Sequence, residues 1–315
     1  LLTTYQISRD QNGKPADHII SLRLVTIAGI FNKFFPTLSQ QVAVFGMKKI
    51  QDKTWKIKPE WNLSPIPLPI RGGATVNEDL IPYLHAGKVE LLSGLKRVNG
   101  STLEFYDGSN IENVDAIIFC TGFSANYAII GSGADPCRNT RKDWATLKGA
   151  NGRPLPRLYQ GIFSLDYPDS LAILGTSPFT PQACLNYDLS SMAVTQIWKG
   201  NSSLPSIEEM NKHVDVQHEV VCKIASTGDL FNTNFRNNWD WFKWVDQAAG
   251  LGVVDRIGYG PKGWKFWWSD RQLCRLMMDG IMSPHIMRLF DEGKRKSWDD
   301  ASRVLEKVNG VDDRH

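Results

Sequence analysis

The stretch DAIIFCTGF, residues 115–123, decides how the chain is to be read. Ala116, Ile117, Ile118, Phe119 and Cys120 follow one another without a polar interruption. An alternating strand has one wet face, whereas an unbroken apolar run is expected where both faces of a strand are covered, as at the centre of an α/β sheet. Thr121-Gly122 then marks a turn at the end of that strand. Taken by itself the run is equally the core strand of any α/β protein; its surroundings bear on whether it borders a cofactor.

Upstream, from Lys88, short runs (KVELL, LKRV, STLEFY) are separated by Asn99-Gly100 and Asp107-Gly108. Both pairs accept the positive φ angles of tight hairpins, so a β-meander is expected. Downstream, Leu171-Ala172-Ile173-Leu174 is a second run of the buried kind, ended by Gly175. Thr180 as N-cap, Pro181 at the first helical position, and Lys199 and Gly200 at the other end predict a helix over 181–199. Its free N–H groups would start where the second strand stops, a geometry suited to an anionic or electron-rich cofactor edge. That order is the one found along one edge of a large cofactor in an open α/β sheet.

The flanks are plainer. Leu24, Ile27, Ala28, Phe31, Phe34 and Phe35 recur at helical spacing over 19–35, and Pro36 is expected to stop that helix. The stripe is read as core, with a membrane-interface face as the alternative. Four prolines and two glycines over 56–73 predict a linker. Ser206 and Glu209 form a capping box opening a helix over 206–225, with Met210, Val214, Val221 and Ala225 on one side. Six tryptophans (Trp239, Trp241, Trp244, Trp264, Trp267, Trp268) crowd residues 239–268 without a repeat and are expected mainly in packing.

Composition narrows the function classes. A net charge of +3 over 315 residues gives no ground for a nucleic-acid partner. No apolar stretch reaches the roughly 20 residues of a membrane span. Five scattered cysteines without a C-x-x-C pair read as free thiols of a reducing, cytoplasmic setting, with peripheral membrane association as the alternative. Leu1 is not an initiator Met, so the natural start is expected upstream.

No local signature of acid–base, nucleophilic or metal chemistry is found. G-x-G-x-x-G between a strand and a helix is missing; Gly131-Ser132-Gly133 lacks the third glycine, and Gly250-x-Gly252 follows a helical pattern. His213 and His218, five residues apart on one helix, point roughly 140° apart and do not readily share a metal. No G-x-S-x-G elbow is present.

At this point the residues resemble a family. DAIIFCTGF is similar to the D-x-[I/L]-I-F-A-T-G-[F/Y] stretch of flavin-containing monooxygenases, with Cys120 in place of the usual Ala. VNEDLIPYLHAGKVELLSGLKRV at 76–98 resembles the family's return from its NADPH-binding to its FAD-binding domain. LYQGIFSLDYPDSLAILG at 158–175, KGNSSLPSIEEM at 199–210 and SPHIMRLFDEGKRKSW at 283–298 follow in family order. The family's two Gly-rich nucleotide turns have no counterpart in this chain.

The resemblance implies an α/β fold: an incomplete version of the two-dinucleotide-binding-domain flavoprotein architecture, with a β-meander and a helical C-terminal region. It divides the chain into 1–75, a mostly helical remnant of the NADPH domain with its Pro-rich linker; 76–200, the C-terminal part of the FAD domain; and 201–315, the helical C-terminal region. It implies FAD and NADPH as cofactors, and oxygenation of a small-molecule nitrogen or sulfur nucleophile by O2 through a flavin C4a-hydroperoxide, in a chain representing the C-terminal part of the enzyme. Thr121, Gly122 and Phe123 would pass close to the dinucleotides, and Gly175 and the loop to Gln182 would lie near the isoalloxazine. Asp115 is read as structural. No catalytic side chain is assigned, as expected where the cofactor carries the chemistry. The alternatives are a truncated, non-catalytic interaction module and a Baeyer–Villiger-type or other flavin-dependent hydroxylase.

Overall fold

The structure, a computed structural model, describes residues 4–5, 18, 20–63, 67–68, 70–71, 75–77, 79–120, 125–175, 183–230, 232–258 and 260–311. It is a mixed α/β arrangement in which helices dominate and the sheets are small. Among the described residues no helix is long and apolar enough to cross a membrane.

At the N-terminal end, β1 (Thr4–Tyr5) pairs in parallel with β2 (Thr75–Val76). Between them lie α1 (Leu22–Phe34) and α2 (Pro36–Thr54). Ser21 caps α1, its hydroxyl accepting from Leu24 N. Pro36 ends one helix and begins another: at the first helical position its missing N–H is one the helix could not have used. The stripe expected in the core is instead largely at the surface, with Leu24, Ile27, Phe34 and Phe35 exposed, as are Leu38, Val42 and Phe45 of α2. The periodicity sets the helix but not what covers it. Leu22 is buried in the main core and Val25 packs against it, held by the Arg23–Asp279 and Lys33–Asp240 ion pairs to later helices.

Residues 55–63 hold a 3-10 turn, Pro59–Trp61, and Leu63 is buried with Ile81 and Leu84. After α3 (Leu80–His85) the meander forms as the turn chemistry requires. Its strands are β3 (Leu95–Asn99), β4 (Thr102–Phe105) and β5 (Asn110–Ile111), antiparallel in chain order. Gly100 and Gly108 take the positive φ angles at the two hairpins. Asp107 locks the second by accepting from Ser109 N and Ser109 Oγ.

The run at 116–120 departs from expectation: it is not a strand and is exposed, Ile118 by 84% and Phe119 by 75%. A central strand needs hydrogen-bonding neighbours on both edges, and among the described residues the meander stops at β5 without extending to it. The run at 171–174 also falls short of a buried strand. It meets the hairpin of β6 (Leu158–Tyr159) and β7 (Phe163–Ser164) through one bridge, Phe163 to Ala172, and is half-buried, with Leu174 exposed. Gln160 and Gly161, both at positive φ, turn that hairpin.

The main core lies on the next helices. α4 (Ala183–Trp198) buries Leu185, Leu189, Ala193 and Ile197 against Trp241, Phe242, Val245 and Ala249 of α6 (Asn238–Ala249). α5 (Ile207–Ser226) starts with the full capping box, Ser206 and Glu209 each bonding the other's backbone N–H. Met210 joins the main core, whereas Val221 and Ala225 join a second core with Trp144, Leu155 and Leu230. Ser206→Ala is expected to cost about 1 kcal/mol in urea unfolding; Glu209→Gln, which keeps the reach back to Ser206 N, should cost less.

The helices α7 (Val254–Ile257), α8 (Pro261–Ser269), α9 (Arg271–Asp279) and α10 (Ala301–Val308) complete the C-terminal region, with a 3-10 turn at Pro284–Arg288. Of the crowded tryptophans Trp241 is buried, while Trp239, Trp244 and Trp267 flank the core. Trp264 and Trp268 are exposed. One continuous core thus draws residues from Leu22 to Leu305.

Candidate functional site

The surface expected to face a cofactor starts at the hairpin of β6 and β7. Ser164 N donates to Leu171 O at 3.1 Å and Ile173 N to Ile162 O at 2.8 Å, so residues 171–173 run beside the hairpin as a short third ribbon. That ribbon ends at Gly175, whose φ of +92° is a conformation side chains rarely adopt. A Cβ at this position would come 3.1 Å from Cε1 of Tyr187. Gly175 therefore lets the ribbon pack closely against Tyr187 on the α4 surface.

α4 is two-faced at this point. Leu185, Asn186, Leu189 and Ser190 are buried toward α6, while Cys184, Tyr187 and Ser191 lie open. Its orientation is fixed from outside. Asp188 accepts both terminal nitrogens of Arg288, each at 2.7 Å, and Trp198 Nε1 donates to Pro168 O at 3.0 Å. A bidentate, half-buried pair fixes direction better than a single contact does. Gly175, Leu174, Tyr187 and Cys184 thus form an open, mostly uncharged surface.

Of the residues the sequence pointed to, Gly175 lies there. Thr121, Gly122, Phe123 and Gln182 lie outside the described residues, as do Thr180 and Pro181, on which the expected helix start rested. The 115–120 stretch shares no backbone hydrogen bond with 171–175. The contact of Tyr187 was missed by sequence reasoning, because it is made with a glycine twelve positions away in the chain.

Among the described residues no cluster of His, Cys, Asp and Glu could hold a metal ion. Ser283 and His285, in close contact, belong to a helix cap in which Ser283 Oγ accepts from His285 N. Burial pushes Tyr127 and Cys137 up to about 12, with Asp135 adding to the shift in both, so both stay protonated at neutral pH.

The strongest titration effect on folding is expected at His218. Its ring is 3% exposed and Nε2 lies 3.1 Å from Pro156 O, an acceptor, so the proton sits on Nε2. Burial holds His218 below the usual histidine range, against the opposing pull of that hydrogen bond. Because the folded value is depressed, the unfolded chain binds the proton more readily. The contribution of His218 is complete above about pH 6.5 and is lost as the pH falls below it. Melting temperatures are expected to drop on acidification toward about pH 5, and His218→Gln, which can still donate to Pro156 O, should flatten that slope. An unchanged slope would contradict the burial of this ring.

With the geometry in place, the comparisons with known proteins bear on it. Residues 3–308 match the flavin-binding monooxygenase-like family. Monooxygenase aurF of Gibberella zeae is 43% identical over 304 residues, 96% of this chain and 57% of that protein. Flavin-containing monooxygenase 3 of Homo sapiens is 25% identical over 298 residues, 93% of this chain and 49% of that protein. The Rattus norvegicus protein of the same name is 24% identical over 247 residues, 78% of this chain and 41% of that protein.

The chain belongs to the flavin-binding monooxygenase-like family. It spans about half the length of the curated relatives it matches.

Proposed function

We propose that these residues form the C-terminal part of an FAD- and NADPH-dependent monooxygenase that oxygenates a soft nitrogen or sulfur centre of a small molecule with O2. The reading is carried by the family match across residues 3–308.

Gly175 is the structural test of fit. At positive φ and with only 3.1 Å left between a Cβ and Tyr187, the backbone here runs close to an aromatic ring, and the same lack of a side chain would let it pass close to a flat cofactor. The fit covers one flank of a flavin. No described segment forms a strand–turn–helix phosphate cradle, and the sequence lacks its glycine pattern. When bound, reduced flavin would supply the activation of O2 and the oxygen transfer. This chain's residues would orient and shield it: Gly175 and Tyr187 from one side, with Thr121, Gly122, Phe123 and Gln182 completing the edge by family resemblance. Ile118, Phe119 and Leu174 would supply apolar cover that keeps water out.

Flavin absorbance of the protein that carries this chain, followed by NADPH oxidation in the presence of a thioether, tests the reading. Sulfoxide formed in proportion to NADPH consumed is the expected result. Lactone from a cyclic ketone in place of sulfoxide would favour a Baeyer–Villiger enzyme. A second reading is favoured by the exposure of Ile118 and Phe119: the chain holds no flavin and acts as an interaction module. A colourless protein that does not oxidise NADPH when supplied with FAD would replace the first reading with this one.

A further inference from the structure

Away from the Gly175 surface, α5 and the segment that follows α5 enclose a small cavity with His213, Gln217, His218, Thr233, Asn234 and Arg236 in its wall. Arg236 is 9% exposed, and its Nε donates to Asn234 O at 3.2 Å. Its terminal nitrogens lie against Gly161, where a Cβ would come within 2.5 Å of one of them. Burial pulls Arg236 down to about 10, which still leaves it charged at neutral pH. A charge taken out of water is costly unless an opposite charge accompanies it.

Among the described residues no carboxylate lies within ion-pair distance of Arg236. Asp215 holds Arg157 at 2.6 Å and Asp143 holds Arg141 at 2.8 Å, which neutralises the two arginines that face His218. Arg236 remains as the excess positive charge, and it is the charge that acts on His213.

A second, independent feature lies in the same wall. His218 is almost wholly buried, its Nε2 proton is committed to Pro156 O, and its Nδ1 has no hydrogen-bond partner. One buried nitrogen without a hydrogen-bond partner and one buried charge without a counter-charge among the described residues therefore line one space. That space is ≈ 10 Å³, room for one water-sized species, and Leu158 and Val214 make part of its wall apolar. A carboxylate or phosphate is too large for it, and a monatomic anion, somewhat larger than water, comes nearest to that size.

We propose that this cavity binds a single halide ion, chloride under ordinary conditions, as the counter-charge of Arg236. The ion accepts hydrogen bonds from the guanidinium, and from Nδ1 of His218 when that nitrogen takes up a proton. Anion binding and protonation are then linked, so chloride binds more tightly as the pH falls through the range of His218 and His213. The groups facing His218 (Arg157, Arg141, Asp215) are paired among themselves or with Asp143, and Arg236 faces His213. The linkage therefore runs through Arg236 and these two rings.

Crystals of the unaltered protein grown in bromide, with data collected at the bromine absorption edge, test the assignment directly. An anomalous peak inside the wall of Arg236, His213 and His218 is expected; ordinary solvent density without a peak overturns it. The companion measurement compares melting temperature in chloride and in gluconate at equal ionic strength on the acid side of neutrality. A saturable chloride-specific rise is expected, and Arg236→Met should lose it while still folding in gluconate, since exchanging a buried unpaired charge for an apolar group is well tolerated. A bromide peak without any chloride-specific rise in the unaltered protein marks an adventitious ion only, and the proposal fails. Should Arg236→Met not fold, the two measurements on the unaltered protein decide.

Discussion

Phe163→Ala is expected to lower unfolding free energy by about 3–5 kcal/mol, a large share of the roughly 5–15 kcal/mol that holds a typical domain together. Phe163 is 0% exposed, sits in the main core, and meets Trp244 edge to face with centroids 6.4 Å apart. Its backbone forms the bridge to Ala172 that carries the chain toward Gly175. Truncation would remove a large apolar group from a wall that cannot close, because β6 and β7 are only two residues long and tightly turned. Phe119→Ala is the informative contrast. That ring is three-quarters exposed, so its loss should register within about 0.5 kcal/mol. Urea titrations with unchanged slopes would compare them; equal costs would mean that burial has been assigned to the wrong phenylalanine.

Gly149→Ala is expected to be as damaging, for the opposite reason. A Cβ there would lie 2.3 Å from Gly228 O and 2.8 Å from Ala225 Cα, both backbone atoms at the C-terminal end of α5. The approach is held by Gly149 N donating to Ala225 O at 2.8 Å. Neither side can turn a rotamer to make room, so the second core around Trp144 and Val221 must open. The cost should lie at or beyond the upper end of the about 1–3 kcal/mol seen for ordinary overpacking. Gly46→Ala supplies the control: it lies within α2 with nothing within 4 Å of its Cβ, and should stabilise by up to about 1 kcal/mol. Thermal melts of the two variants should move in opposite directions.

Local signals in this sequence were legible where their physics is local. Asn99-Gly100 and Asp107-Gly108 specify hairpins because positive φ at Gly100 and Gly108 is a property of those residues. Ser206 and Glu209 specify a helix start because the cap closes within four residues. Lys199 and Gly200 mark the end of α4 in the same way. The readings that did not hold concern burial. Phe34 and Phe35 are as apolar as Leu185 and Leu189, yet the first pair is exposed and the second buried. The difference is α6, which covers α4 and nothing comparable for those two rings among the described residues. The run at 116–120 met the same limit, since its composition asks for neighbours that composition cannot supply. Of the candidate cofactor-side residues named from the sequence only Gly175 lies among the described residues, and its contact with Tyr187 became visible once the ribbon and α4 had been brought together.

The meander has a consequence for how the molecule comes apart. Its strands are folded by their own turns and hydrogen bonds, and Phe105, its one buried side chain, joins none of the three apolar clusters. A segment so weakly anchored to the remainder can fray and re-form while α4 and α6 stay locked. Amide exchange should therefore be fast across residues 95–111 and slow across the paired helices, giving the protein two tiers of cooperativity rather than one.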